Sequence, residues 1–169
     1  MSWDCRLVND KGETLTLKEK HQLKGGTYAI GGTNECWLNV TYNYGKYIRE
    51  CSDFPEGLDS LNGKSGIDSV KMLDNVIQLL EKKYKKNSRW IVSEREMIYF
   101  KNPSTGKLIS YYDASVDKMA NWQEVKVKEQ VSEGQNSNYW LATAGNVIKA
   151  LRGLRELANE KPYGVWKID

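Results

Sequence analysis

The feature that most constrains this chain is a hydrophobic period that changes from two residues to about 3.6 and back, twice along its length. The best-marked helical stretch is capped by Thr143, carries Val147, Ile148, Leu151, Leu154 and Leu157 on one side, and is followed by Pro162. An earlier stripe runs through Ile67, Val70, Leu73, Val76, Ile77, Leu80 and Tyr84. It starts behind Ser65, with Asp68 three residues on, a capping-box spacing. Helices with one apolar side need a second layer to cover it.

The segments between and around them have strand patterns that can supply that layer. Cys5–Val8 and Glu13–Leu17 flank turn chemistry at Asn9–Gly12, and Gly25–Gly32 is a strand bracketed by glycine pairs. Glu35–Tyr44 has the clearest alternation. Cys36, Leu38, Val40, Tyr42 and Tyr44 share one face, and Glu35, Trp37, Asn39, Thr41 and Asn43 share the other. Further strands are expected at Trp90–Val92, Glu96–Lys101, Lys107–Tyr112 and Val165–Ile168. Val125–Val131 alternates valine with charge, as an edge strand does. The pattern predicts an α+β fold, a mostly antiparallel sheet packed by two main helices. It predicts a single domain over residues 1–169, with a β-hairpin insertion at about 90–133.

A chain of 169 residues, 40% hydrophobic and 28% charged, suits one buried core and is too apolar for a disordered protein. The net charge of +3 lacks the concentrated basic face of a nucleic-acid binder. The densest basic run, Lys82 to Lys86, falls at a helix end, where cations offset the dipole. Lys149, Arg152 and Arg155 lie away from the leucine stripe and read as a solvated face. Cys5, Cys36 and Cys51 form no CxxC pair, so reduced thiols and a cytosolic setting are expected. With no apolar leader and no run near the roughly 20 residues of a membrane span, no membrane partner is expected.

Catalytic constellations are hard to assemble. Gly63-Lys64-Ser65 resembles a P-loop tail, but the Walker spacing needs glycine at Leu58 and the preceding stretch is loop-like. His21 is the sole histidine, so any Ser-His or Cys-His pair would have to use it. The chain is expected to bind rather than catalyse, with no cofactor; the weaker alternative is an enzyme acting on a nucleotide, with His21 or Glu35 as acid or base.

The polar face of the Glu35–Tyr44 segment suggests what it binds. Glu35, Asn39, Thr41 and Asn43 present hydrogen-bonding groups on short stems, without lysine or arginine, as a pocket floor does. Trp37 and Trp140 could stack on a ring, and His21 and Lys64 could meet negative charge. The amides of the helix start at Thr143 and Asn146 could hold a phosphate. These ten residues form the expected site for a small anionic or nucleotide-like ligand.

Three stretches together resemble an uncharacterised family of small proteins found in phages and prophages. They are HQLKGGTYAIGG (residues 21–32), NECWLNVTYNY (34–44) and the Tyr139–Trp166 segment, with its YW-x-AT-x-GN start and P-x-GVW close. A fourth element, G-I-x-x-L-x-GK-[ST]-G, is matched by residues 57–66, with Leu58 where isoleucine is usual. Relatives often place a second histidine beside the first; Lys20 and Gln22 flank His21 here. The resemblance implies a phage accessory protein in the host cytoplasm. By analogy with other phage accessory proteins, it would counter host defence by sequestering a small ligand or by binding a host defence protein. A homo-oligomer is left open.

Overall fold

The structure is a computed structural model that describes residues 1–21, 31–111 and 121–169. Of the strand expected over Gly25–Gly32, positions 25–30 lie outside them, as does position 112, and Gly31 and Gly32 are not in a strand. In chain order the elements are β1 (Ser2–Val8), β2 (Thr16–His21), β3 (Thr33–Glu35), β4 (Trp37–Thr41), α1 (Gly45–Ile48), α2 (Gly66–Tyr84), β5 (Lys85–Lys86) and β6 (Arg89–Trp90). They continue with β7 (Val92–Lys101), β8 (Leu108–Ser110), β9 (Gln123–Ser132), α3 (Ala144–Glu160) and β10 (Val165–Ile168). The fold is α+β, and every strand pairing among the described residues is antiparallel. Two compact units form, one from Met1–Trp90 with Gly134–Asp169 and one from Ile91–Glu133.

In the first unit, β1 is the centre of a sheet of order β10-β1-β4. Alternation places Trp3, Cys5 and Leu7 of β1 with Leu38 and Val40 of β4 and Trp166 and Ile168 of β10 on the buried face. Against it lies α3, through Val147, Leu151, Leu154 and Leu157, and α2 packs on α3. Ser65 caps α2: its hydroxyl accepts from the Asp68 N–H at 3.2 Å and donates to the Asp68 carboxylate at 2.6 Å. Ile67, in the sequence stripe, is 60% exposed, one residue into a helix whose buried face begins at Gly66 and Ser69.

The segment expected as one strand over Glu35–Tyr44 is broken twice. Cys36 interrupts β3 and β4, and after Thr41 the chain turns into a 3-10 turn over Tyr42–Tyr44 and then α1. The physical reason is a local cap. β1 begins at Ser2, opposite Thr41, and the Tyr42 N–H still donates to the Met1 carbonyl at 3.2 Å. The Thr41 hydroxyl accepts from the Asn43 N–H and starts the turn. Tyr42 is thereby exposed while Tyr44 is buried. The strand expected over Glu13–Leu17 forms later, as β2, which runs on to His21 and pairs with β3.

The second unit is a sheet of order β8-β7-β9. Ten residues of β7 pair in register with β9, from Val92 opposite Ser132 to Lys101 opposite Gln123. Arg95 is ion-paired to Glu133, which is 2% exposed, at 2.6 Å. No helix among the described residues is long and apolar enough to cross a membrane.

Candidate functional site

The two helix starts that could have held an anion are closed by backbone. At α2, the Gly66 N–H donates to the Gly164 carbonyl at 2.8 Å and the Ile67 N–H to the Pro162 carbonyl at 2.9 Å. The same strap is tied twice more, Trp166 N–H to Lys64 carbonyl at 2.8 Å and Gly63 N–H to Trp166 carbonyl at 2.8 Å. The Trp166 indole donates to Ser69 at 2.8 Å. The GKSG and PYGVW stretches are therefore two halves of one structural joint. Lys64 is exposed beside it, and the amides a phosphate would need are already paired.

At α3, the Thr143 hydroxyl accepts from the Asn146 N–H at 3.2 Å and donates to the Gly134 carbonyl at 2.6 Å. The Asn146 amide is fully engaged, accepting from the Asn136 N–H at 2.8 Å and donating to the carbonyls of Asn138 and Leu141 at 3.1 and 2.9 Å. A loop thus lies across this helix end, held by the two side chains expected to bind ligand.

The polar strand face is similarly committed. Trp37 and Asn39 lie half-buried on the outer face of the sheet, where the Trp37 indole and the Asn39 amide both donate to the Asp4 carboxylate, at 3.0 and 2.9 Å. Asn39 also donates to Ser2 at 2.8 Å. Past the turn, the Asn43 amide donates to the Trp140 carbonyl at 3.1 Å, and the Tyr44 hydroxyl to the Tyr139 carbonyl at 2.6 Å. The Tyr139 oxygen accepts from the Thr41 N–H at 2.7 Å and donates to the Asn39 carbonyl at 3.3 Å. Burial pushes the Tyr139 hydroxyl up to about 12 and raises that of Tyr44 further, so both stay protonated donors. Trp140 is 44% exposed. The hollow beside these tyrosines, touched by Tyr44, Tyr139 and Asn146, measures about 90 Å³. Ligand pockets run to roughly 300–1,000 Å³, so it suits water rather than a nucleotide.

His21 and Glu35 stand apart from these groups. The His21 Nε2 lies 2.6 Å from the Glu35 backbone carbonyl, which can only accept, so Nε2 carries a proton. The other ring nitrogen, Nδ1, is buried and has no hydrogen-bond partner among the described residues. Beside the His21 residue a cleft of about 550 Å³ opens between β2 and the last turns of α3, lined by Leu17, Lys18, Glu19, Lys20, His21, Glu156, Leu157, Glu160 and Lys161. The Glu35 side chain is exposed; its carbonyl is what orients the imidazole.

The ten expected residues therefore fall into separate groups, and among the clefts of ligand size formed by described residues, His21 lines the one between β2 and α3. Glu156, Glu160 and Lys161 were not expected at a site. They follow the last leucine of the α3 stripe or sit beside it, and their sequence signal is that of any solvated helix end. Arg152 and Arg155 cross-link the helices, to Glu81 at 2.8 Å and to Asp74, so the basic side of α3 is bound to α2. No group of His, Cys, Asp or Glu among the described residues could hold a metal ion. No protein-family model, curated protein or solved structure matches the chain.

Proposed function

We propose that this protein is a non-catalytic binding module for a small, nucleotide-like or otherwise anionic ligand, held in the cleft between β2 and α3. The observation that carries this reading is the His21 ring, whose Nε2 is fixed by the Glu35 carbonyl while its buried Nδ1 has no hydrogen-bond partner among the described residues. A buried polar nitrogen left unpaired costs about 1–3 kcal/mol, which a ligand hydrogen bond would recover once a small shift of the ring uncovers it. Lys18, Lys20 and Lys161 bring positive charge to the lining, and Glu19, Glu156 and Glu160 bring acceptors for ligand hydroxyl or amino groups. That mixture suits a molecule with an anionic group and several donors. No nucleophile is paired with the histidine in the cleft lining, which favours holding a ligand over turning it over. The motif resemblance supplies a setting: a phage accessory protein that sequesters a signal in the host cytoplasm.

Calorimetry against a panel of nucleotides and anionic metabolites tests the reading. One ligand class should bind at one site per chain, His21→Ala should weaken it about tenfold, and mass spectrometry should recover it unaltered. Asn43→Ala, which removes only the tie to Trp140, should bind like the wild type. A panel without a single binder ends the proposal.

A second reading, direct binding of a host defence protein, draws on the Ile91–Glu133 unit. Ile98 and Tyr111 meet across β7 and the end of β8 and are 36% and 50% exposed, with Phe100 stacked on Tyr111 at 6.0 Å. Apolar groups clustered on an exposed sheet mark interaction surfaces. An Ile98→Asp variant should lose a stoichiometric partner that the wild type retains. Equal recovery by both proteins would remove this reading.

A further inference from the structure

We infer that the ligand carries a flat heteroaromatic ring, seated on Tyr163 in a second cleft that adjoins the His21 cleft. The inference rests on the ligand-binding reading above and specifies the chemistry of the ligand. The second cleft measures about 540 Å³ and shares Glu160 and Lys161 with the first, so the two meet at the end of α3. Their linings differ. Around His21 the lining is mostly charged, whereas the second cleft is chiefly apolar, with Leu15, Pro162 and Tyr163 among its walls.

Tyr163 is the decisive residue. It is 89% exposed, more than any other aromatic side chain among the described residues. The backbone on either side of it is nevertheless pinned, because the Pro162 and Gly164 carbonyls accept from the α2 amides and the Gly164 N–H donates to the Lys161 carbonyl at 3.0 Å. With the backbone beneath it fixed, stacking on the ring has only the two side-chain torsions of Tyr163 to order. An aliphatic group would fill the apolar cleft equally well without a tyrosine face, whereas a heteroaromatic ring gains from face-to-face overlap. Asp10, on the rim of the same cleft, offers an acceptor for a ring N–H. Lys161, at the junction, is placed between the ring and whatever reaches His21, where it can meet an anionic arm. The order ring, anion, donor group describes a nucleoside phosphate or a close analogue.

Calorimetry with three probes separates this inference from its premise: ribose 5-phosphate, the four common nucleoside monophosphates, and the corresponding nucleosides. For the wild type, at least one monophosphate should bind about tenfold or more tighter than ribose 5-phosphate, the gain typical of one stacked base. Tyr163→Ala should abolish that difference, Tyr163→Phe should keep it, and His21→Ala should weaken ribose 5-phosphate and monophosphates alike. An unchanged thermal melt for Tyr163→Ala, expected for so exposed a side chain, would show that the fold is intact. If ribose 5-phosphate binds as tightly as every monophosphate, or if a ring preference survives in Tyr163→Ala, the ring assignment is overturned and the His21 cleft stands. If none of the probes binds, both are overturned.

Discussion

At Gly66 a side chain has no room: a Cβ there would lie 2.4 Å from the Lys161 carbonyl oxygen and 2.9 Å from that of Ala158. Both neighbours are backbone and cannot swing aside, so Gly66→Ala should lower stability by about 3 kcal/mol, read as a lower urea midpoint. Gly145 is held in the same way, with the Gln135 nitrogen at 2.3 Å from its absent Cβ. Cys36 makes a different prediction. Burial pushes its thiol from 9.0 up to about 11, with Lys161 pulling weakly the other way. Its folded pKa is above the unfolded one, so its stabilising contribution is complete below about pH 9 and disappears as pH rises towards 11. Denaturant midpoints measured between about pH 8 and pH 11 should fall over that window, and Cys36→Ala should flatten the decline.

Among the elements, α3 carries the most structural duties, since its N-terminus holds the 134–138 loop and its last turns wall the His21 cleft. Thr143→Ala would remove the cap and the hydroxyl that donates to the Gly134 carbonyl. The expected loss is about 1–2 kcal/mol, with Thr143→Ser recovering most of it; equal urea midpoints for Ala and wild type would refute this. The helix stripes and both caps were legible because local spacing dictates them. The end of β4 was not, because alternation continues through Tyr44 in sequence while the Thr41 hydroxyl caps a turn that the alternation does not reveal. α1 was missed because a single turn after a 3-10 turn has too few residues to display a period.

On the scale of the whole molecule, the Ile91–Glu133 unit begins and ends at one point, since the Glu133 N–H donates to the Ile91 carbonyl at 2.9 Å. Replacing residues 91–133 by a short glycine-serine link should leave the remaining chain cooperatively folded, because both helices and the sheet of β10, β1 and β4 lie outside it. The shortened protein should keep its ligand affinity in calorimetry, because every residue lining the His21 cleft belongs to the other unit. Loss of cooperative melting would show instead that the two units depend on each other.

Sequence by itself determined the α+β class, the two capped helices and most of the strands. These depend on spacing along the chain, which local geometry converts directly into faces. Tertiary structure alone decided how the polar groups are used. Asn39, Asn43, Thr143 and Asn146 have the chemistry of a pocket, yet each meets Asp4 or a backbone group from a distant segment or a crossing loop. A hydrogen-bonding side chain looks the same in sequence whether its partner is a ligand or the protein's own chain, and only the packed fold distinguishes the two.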